Sequence, residues 1–304
     1  MTSTLDKPVK VPTFQAVSLR RKITNNTATV LVTLSVAVAV VPLIWVLYSV
    51  ITKGLGTVLD STWWMNSQAG MTAFADGGGV YHALVGTVLQ GLFCAIISIP
   101  VGVFVGIYLV EYGGGTRLGK LTTFMVDILT GVPSIVAALF IYALWVATLG
   151  FQRSGFAVSL ALVLLMIPVI VRSTEEMLRI VPMDLREASY ALGVPKWKTI
   201  ARIVIPTALS GIVTGIMLAL ARVMGETAPL LILVGYSQAM NFDMFNGFMG
   251  SLPGMMYDQT SAGAGANPVP TDRLWGAALT LIVLIAVLNV GARFVAKFFA
   301  PKKV

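Results

Sequence analysis

Residues 187–206 read Glu-Ala-Ser-Tyr-Ala-Leu-Gly-Val-Pro-Lys-Trp-Lys-Thr-Ile-Ala-Arg-Ile-Val-Ile-Pro and separate two strongly apolar stretches. Apolar or small residues recur here at positions i, i+3, i+4 and i+7, which is the spacing of one helical face; they are Leu185, Ala188, Ser189 and Leu192. Gly193 follows, and glycine readily takes the left-handed conformation that ends a helix. Pro195 suits the first turn of a second helix. The segment is therefore predicted to be two short helices joined by a tight turn.

The second predicted helix of this segment has an apolar stripe of its own. Its members are Trp197, Ile200, Ala201 and Val204, whereas Lys196, Lys198 and Arg202 lie off the stripe. An amphipathic helix buries its apolar stripe against another surface. This short segment contains no further residues that could cover both of its apolar stripes. We therefore expect residues 182–206 to dock into a partner protein.

The rest of the chain has the composition of a membrane protein. Hydrophobic residues make up 57% of the 304 residues and charged residues 11%, less than half the charged share of soluble domains. About 20 apolar residues cross a hydrocarbon core about 30 Å thick, and six stretches are long enough: about 27–51, 82–110, 121–149, 155–181, 207–235 and 274–298. The prediction is an all-α, polytopic integral membrane protein with six transmembrane helices. Spans two, three and four are expected to be interrupted by proline, at Pro100, Pro133 and Pro168.

Lysine and arginine set the expected orientation, because basic loops stay on the cytoplasmic side. With the N-terminus inside, sixteen basic residues fall in cytoplasmic segments: Lys7, Lys10, Arg20, Arg21, Lys22, Arg117, Lys120, Arg179, Arg186, Lys196, Lys198, Arg202, Arg293, Lys297, Lys302 and Lys303. Three fall in outward segments, namely Lys53, Arg153 and Arg273. We predict a cytoplasmic N-terminal segment 1–26, a transmembrane domain 27–298 and a cytoplasmic tail 299–304, in the inner or plasma membrane. The first span is expected to be retained, since its apolar run is too long for a cleaved signal peptide.

Composition and motifs argue against catalysis and against nucleic-acid binding. Gly114, Gly119 and Lys120 have the spacing of a phosphate-binding loop, but Leu121 replaces the Ser or Thr whose hydroxyl would bind Mg²⁺. The single histidine, His82, and the single cysteine, Cys94, form neither a metal cluster nor a catalytic constellation. Basic loops facing anionic lipid account for the net charge of +8. The chain is predicted to be non-enzymatic and to bind no cofactor or metal.

Several charged residues fall inside the predicted spans, where a charge costs about 2.5–3.5 kcal/mol on insertion scales and normally has a partner. They are Arg222 and Glu226 at i, i+4 near the middle of the fifth span, Arg172, Glu175 and Glu176 in the fourth, and Asp127 in the third. One interpretation is that they form buried ion pairs that hold the bundle in register. The other is that an arginine lines the route of an anionic solute, because its fork matches phosphate or carboxylate. These residues leave both interpretations open, with Asp127 favoured as a structural partner.

The segment around residue 190 resembles the Glu-Ala-Ala loop of ABC importer permeases, whose pattern is Glu-Ala-Ala, three residues, Gly, nine residues and Ile-x-Leu-Pro. Five positions match at that spacing: Glu187, Ala188, Gly193, Ile203 and Pro206. Ser189 and Ile205 depart mildly from the pattern. The resemblance implies a type I importer permease fold in which this loop is a coupling helix inserted into a separate ATPase subunit.

Further segments resemble the PstA-type permeases of phosphate importers. They are Gly131-Val132-Pro133-Ser134, Arg172-Ser173-Thr174-Glu175-Glu176 and Ala221-Arg222-Val223-Met224-Gly225-Glu226-Thr227-Ala228-Pro229-Leu230. The resemblance implies import of inorganic phosphate past Arg222, Glu226, Arg172 and Glu175. It also implies a PstC-like permease as heterodimer partner, two copies of an ATPase that holds the ATP and Mg²⁺, and an extracytoplasmic phosphate-binding protein.

Two other transporter classes share part of these features. A permease for another oxyanion or a phosphonate would have the same fold and the same loop. A secondary transporter would also carry intramembrane charges, but it would be expected to show internal repeats and to lack a docking loop. A DNA-binding helix-turn-helix at 184–204 is remote, because membrane spans tether both of its ends and a tri-helical core is absent.

Overall fold

The computed structural model describes residues 18–299, and of residues 295–299 only the backbone. Residues 1–17 and 300–304, which belong to the predicted cytoplasmic ends and include Lys7, Lys10, Lys302 and Lys303, lie outside this range. The chain divides into two units, residues 1–49 and 50–304. The helices are α1 Leu19–Leu59, α2 Ser61–Met65, α3 Tyr81–Glu111, α4 Arg117–Thr130, α5 Ser134–Ile141, α6 Gly155–Ile180, α7 Met183–Ala191, α8 Lys196–Thr199, α9 Ile205–Met224, α10 Ala228–Leu233, α11 Leu252–Ser261 and α12 Pro268–Phe299, with π-helical turns at Tyr142–Thr148 and Ile200–Val204.

Membrane-spanning helices account for most of the described chain. Five are long and apolar enough to cross a bilayer: Leu19–Leu59, Tyr81–Glu111, Gly155–Ile180, Lys196–Met224 and Pro268–Phe294. A sixth span exists only if Arg117–Thr130 and Ser134–Thr148 are counted together, and these two pieces are bent by 105°. The prediction of an all-α polytopic membrane protein is confirmed. The expected interruption of the predicted span 121–149 at Pro133 is confirmed, because Pro133 adopts an extended conformation (ψ 142°) between the two pieces.

Two sequence-based expectations about the other spans are wrong: the interruptions at two prolines and the continuity of the fifth span. Helix α3 runs through Pro100 and helix α6 runs through Pro168, so only Pro133 marks a break. Membrane helices tolerate proline where neighbouring groups satisfy the freed backbone. The predicted fifth span, 207–235, is instead two helices, because α9 ends at Met224 and α10 begins at Ala228.

Helices α3 and α6 form the most intimate contact of the bundle and run parallel. A Cβ atom added at Gly102 would lie 2.7 Å from the Cβ of Ile170, and one at Gly106 would lie 2.8 Å from the Cβ of Thr174. Both contacts advance along the two helices in the same direction, which fixes the parallel orientation. Small residues allow this close approach of backbones, which is how membrane helices associate without a hydrophobic driving force. The two helices therefore pack as one body.

Helix α9 packs antiparallel against another face of α6. A Cβ at Gly215 would lie 2.4 Å from the Oγ of Ser173, and one at Gly211 would lie 2.2 Å from the Sδ of Met177. The residue numbers rise along one helix as they fall along the other. Helix α6 is therefore central, with α3 on one side and α9 on another, and many of its residues are buried.

The segments predicted to lie outside the membrane are folded onto the ends of the helices. The indole Nε1 of Trp63 donates a hydrogen bond to the hydroxyl of Thr280, 3.0 Å away. The guanidinium of Arg273 is buried and donates to the carbonyls of Ala75 (2.6 Å) and Gly77 (2.9 Å). A buried arginine needs such partners. The loop ahead of α3 is therefore held by α12.

Candidate functional site

The turn between α7 and α8 has the geometry expected of the segment 182–206. Gly193 has φ +73°, in the left-handed region. Its N–H donates to the carbonyl of Tyr190 (2.9 Å), and the N–H of Val194 donates to the carbonyl of Ser189 (3.2 Å). The prediction that Gly193 ends the first helix is confirmed. Pro195 lies one residue earlier than expected, at the N-cap of α8 and not in its first turn.

The two apolar stripes of this segment are divided between solvent and the bundle. Four large side chains are exposed, and we call them the docking face: Leu185 (41% exposed), Tyr190 (42%), Leu192 (83%) and Trp197 (66%). Three members of the predicted stripes are buried by the chain itself, namely Ser189, Ile200 and Val204. Val204 packs with Leu178, Val181, Ala208 and Ile212. The expectation that nothing in the chain covers these stripes is therefore wrong for the inner members and holds for the docking face.

The matched positions of the loop pattern are distributed around the same segment. Glu187 and Ala188 are exposed on α7, beside the docking face. Ile203 is half-buried in the π-helical turn, and Pro206 is half-buried in the first turn of α9. Glu187 and Ala188 can therefore contact a partner directly, whereas Ile203 and Pro206 lie where the segment joins the membrane helix.

A cluster of charges that the sequence did not single out anchors the segment to the bundle. The guanidinium of Arg186 forms an ion pair with the carboxylate of Glu111, the last residue of α3, and both side chains are buried (8% and 4% exposed). Arg186 also donates to the carbonyl of Leu178 on α6, 2.9 Å away. Lys196 donates to the backbone carbonyl of Glu111, and its Nζ lies 4.7 Å from the ring centroid of Tyr112. We call this cluster the anchor.

The sequence did carry a weak signal for the anchor. Glu111 stands directly at the end of a long apolar run, and Arg186 lies off the apolar stripe of its own helix. Each residue looks like an ordinary solvated charge at a membrane boundary. Only the packing of α7 across the ends of α3 and α6 brings them together and removes them from water.

Arg222 and Glu226 do not form the helical pair that was predicted. Helix α9 ends at Met224 and Gly225 caps it, so Glu226 lies in the break before α10. Arg222 lies in the last turn of α9, where a cation is favoured by the helix dipole. Its side chain is exposed and has no hydrogen bond or ion pair among the residues that the structure describes. The interpretation of these two residues as a buried ion pair is therefore wrong.

The second group of predicted path charges is an ion-pair network. Arg172 contacts the carboxylates of Asp127 on α4 and of Glu175 one turn along α6 (2.8 Å to the latter). Glu175 also accepts a hydrogen bond from Arg179, 2.6 Å away. Asp127 is thus a structural partner, as predicted, and the residue it pairs with is Arg172, whereas Glu176 is exposed. The network links α4 to α6, which fits the structural interpretation of these charges.

The phosphate-loop-like spacing between Gly114 and Lys120 forms the turn into α4. The hydroxyl of Thr116 accepts a hydrogen bond from the N–H of Gly119 (2.9 Å) and so caps this helix. The turn follows a long helix, whereas a nucleotide-binding loop follows a β-strand. Residues 114–120 are therefore a helix cap.

The lone histidine and cysteine have structural surroundings. His82 is buried at the start of α3, with its Nε2 2.8 Å from the hydroxyl of Tyr236. Cys94 is buried in the core, with its Sγ 3.5 Å from the Sδ of Met166. Within the described residues, no three His, Cys, Asp or Glu side chains are placed to share a metal ion. Cys94 is therefore a packing residue.

The loop between α10 and α11 contains a small hydrogen-bonded turn around Asp243. Its carboxylate accepts hydrogen bonds from the side chain of Asn246 (2.9 Å) and the N–H of Phe245 (2.8 Å). These hydrogen bonds, the one from Asn246 foremost, hold the pKa of Asp243 below its ordinary value. The charged form of Asp243 therefore orders this loop.

Comparisons with known proteins agree with this arrangement. The family described as the inner membrane component of binding-protein-dependent transport systems matches residues 98–304. The phosphate transport system permease protein PstA 1 of Mycobacterium tuberculosis (strain CDC 1551 / Oshkosh) is 55% identical over 301 residues, which are 98% of this chain and 97% of that protein. The PstA protein of Mycobacterium leprae is 54% identical over 303 residues, 99% of this chain and 97% of that protein.

One solved structure shows how far the fold is shared. A chain of the MetNI methionine ABC transporter, in an inward-facing conformation, superposes with a TM-score of 0.55 at 20% identity. The match covers 73% of this chain and 95% of that chain. At this level of identity the likeness concerns the fold.

Proposed function

Since this chain belongs to the inner-membrane components of binding-protein-dependent transport systems, as the PstA permease subunit of a phosphate ABC transporter, we propose that Arg222 meets phosphate in the membrane. We also propose that residues 182–206 dock on the ATPase that drives transport. The chain is a non-catalytic, multi-pass membrane subunit. ATP and Mg²⁺ belong to the ATPase subunit, and a binding protein delivers the solute.

The observation that supports the path assignment is that the side chain of Arg222 is exposed and unpaired within the described part of the chain. An arginine in an apolar span is costly unless it faces protein, water or a partner. Arg222 is exposed at a helix break and is unpaired within the described part of the chain, whereas Arg172 is already engaged by two carboxylates. Helix breaks of this kind form solute sites in membrane transporters. Arg222 is thus the residue that we assign to phosphate contact. Glu226, in the same helix break, and the Arg172–Glu175 network on α6 would line the path further along.

The docking face supports the coupling assignment. Leu185, Leu192 and Trp197 expose large apolar surfaces on a segment rich in lysine and arginine. Apolar and aromatic side chains on an exposed element mark protein–protein contact sites. An ATPase groove with an apolar floor and an acidic rim would complement this surface. Gly193 sets the angle at which the two halves of the face are presented.

The proposed assembly rests on membership of the phosphate importer permeases. The distribution of basic residues supports a cytoplasmic position for the N-terminus, the docking face and the C-terminus. A homologous PstC-like permease would pair with this chain, so that a single phosphate path runs between them with Arg222 on its wall. Two copies of the ATPase would engage one coupling segment each. Closure of the ATPases would then swing the helices around the path and expose Arg222 to alternate sides.

Substitution of Arg222 by lysine tests the path assignment. Lysine keeps the charge but loses the two-pronged donor geometry that matches phosphate. A lost charged hydrogen bond is worth about 1.5–3 kcal/mol, so radiolabelled phosphate uptake by vesicles containing the full transporter should fall about tenfold or more. Arg117→Lys, at an exposed position of α4, should retain uptake. Normal uptake by Arg222→Lys would remove Arg222 from the path.

A further inference from the structure

We infer that Arg186 and Glu111 are positioning residues that transmit motion of the coupling segment to α3 and α6 as one body. The inference rests on the proposed coupling role of residues 182–206. It adds a route into the membrane that starts at the first helix of the segment and does not pass along α9. Neither residue belongs to the docking face or to the path.

The first step of the route is the three-way contact of Arg186. Its side chain leaves α7, pairs with the carboxylate of Glu111 on α3 and donates to the carbonyl of Leu178 on α6 at 2.9 Å. Both partners of the ion pair are buried, at 8% and 4% exposure. A charge pair removed from water is screened little and resists separation. One side chain therefore ties the docking helix to the ends of two membrane helices.

The second half of the coupling segment reaches the same point. Lys196, the first residue of α8, donates to the backbone carbonyl of Glu111 and lies over the ring of Tyr112. The two halves are also tied to each other, because the hydroxyls of Ser189 and Thr199 are 2.8 Å apart and buried. Helices α7 and α8 thus meet the end of α3 as a single unit. A push on either half reaches α3.

The last step is the rigidity of the α3–α6 pair. Gly102 and Gly106 leave no room between the helices, since an added Cβ at either would lie within 3 Å of an α6 side chain. Higher along the pair, the hydroxyl of Ser159 donates to the carbonyl of Gln90 at 3.1 Å. Close-packed interiors transmit displacement rather than absorb it. A shift applied at Glu111 therefore carries Arg172 and Glu175, which are on α6, with it.

A double apolar substitution separates transmission from simple stability. Breaking one side of a buried ion pair destabilises a protein, whereas replacing both partners by apolar residues of similar size is often neutral. The experiment compares Glu111→Leu/Arg186→Met with the parent chain in the complete transporter, reconstituted with its partner subunits. It measures the thermal midpoint, co-purification with the ATPase, and phosphate imported per ATP hydrolysed. Arg117→Met, which removes an exposed charge from the start of α4, outside the coupling segment and the anchor, is the control and should leave all three unchanged.

The double variant is expected to keep its thermal midpoint and its ATPase, while phosphate imported per ATP falls at least tenfold. A double variant that keeps both the parent thermal midpoint and the parent amount of phosphate imported per ATP would overturn the inference, because the ion pair would then be merely structural. Loss of ATPase co-purification would overturn it as well, since Arg186 would then act in docking. Should the double variant fail to insert, Glu111→Gln keeps the shape of the side chain and one acceptor. That variant should show a severalfold lower phosphate-to-ATP ratio, and an unchanged ratio would overturn the inference.

A docking-face variant distinguishes failure of this inference from failure of the coupling role itself. Leu192→Asp places a charge at the most exposed apolar position of the segment, at a residue that takes no part in the anchor contacts. It should abolish co-purification with the ATPase whatever the role of Arg186. An ATPase that stays bound to Leu192→Asp would contradict the proposed docking of residues 182–206. A normal phosphate-to-ATP ratio in the double variant would contradict only the transmission route.

Discussion

Gly193 offers the most direct test of the coupling segment, because strain there can be separated from packing. Its φ is +73°, and a Cβ added to it would meet nothing within 4 Å. A substitution therefore acts through the backbone alone. The left-handed conformation costs an L-residue about 1–2 kcal/mol, and a β-branched residue lies at the upper end of the 1–3 kcal/mol range for strained backbone. Gly193→Val should thus disfavour the native turn by about 2 kcal/mol, or about 30-fold.

The expected consequence is a change in the angle between α7 and α8, which separates Leu192 from Trp197 on the docking face. Gly193→Val should insert normally into the membrane, since the rest of the bundle is untouched. If only the native turn engages the ATPase, phosphate uptake in reconstituted vesicles should fall, by at most about 30-fold. Gly193→Asn should recover much of it, because asparagine tolerates the left-handed region.

Gly114→Val is the matched control for this prediction. Gly114 is also exposed and open around its Cβ position, but its φ is outside the left-handed region. The control should transport phosphate normally. Uptake that is equal in Gly193→Val and Gly114→Val would refute the argument that the turn geometry couples the chain to its ATPase. A Gly193→Asn variant as inactive as Gly193→Val would refute the role of backbone conformation.

Two further predictions concern packing and pH. Gly106→Val drives a side chain into Thr174 and should cost about 1–3 kcal/mol, seen as a lower thermal midpoint in detergent; Gly291→Val, where no atom lies within 4 Å of the added Cβ, should change it little. The depressed pKa of Asp243 means that its stabilisation of the loop between α10 and α11 is complete above its ordinary value of 3.8 and is lost as the pH falls through the lower, folded value. Hydrogen exchange of residues 241–248, corrected for the intrinsic rate, should rise on acidification in the parent chain but stay flat in Asp243→Asn. If the corrected hydrogen exchange of this loop in the parent chain does not change on acidification, the proposed role of the Asp243 carboxylate is wrong.

Features set by local chemistry were predictable from the sequence. Apolar runs of sufficient length predicted the membrane class, since about 20 such residues suffice to cross a bilayer. Gly193 predicted the turn, because glycine alone takes φ +73° without strain. The break after Met224 was missed, although Gly225 and Pro229 were available as signals. Hydropathy averaged over residues 207–235 hides a short interruption in an otherwise apolar stretch.

The sequence could not show which charged residues form ion pairs with each other. Arg172 was correctly matched with Glu175, but its pairing with Asp127 was not predicted, and Arg222 and Glu226 were paired on the assumption of a continuous helix. The anchor formed by Arg186 and Glu111 joins residues 75 positions apart, so no local pattern could indicate that these two residues pair with each other. Burial of Ile200 and Val204 likewise depends on where α6 and α9 lie. Such pairings depend on how helices are placed against one another.

The sequence by itself determines three features: insertion into the membrane, the all-α class and the left-handed turn at Gly193. Each of them depends on residues that lie within a few positions of one another. The division of the coupling segment into a buried anchor and an exposed docking face is different. It arises when α7 crosses the ends of α3 and α6, which withdraws Arg186 and Glu111 from water and leaves Leu192 and Trp197 uncovered. The way the helices pack therefore decides which charges pair: it gives Arg172 two carboxylate partners and leaves Arg222 with no ion pair among the described residues.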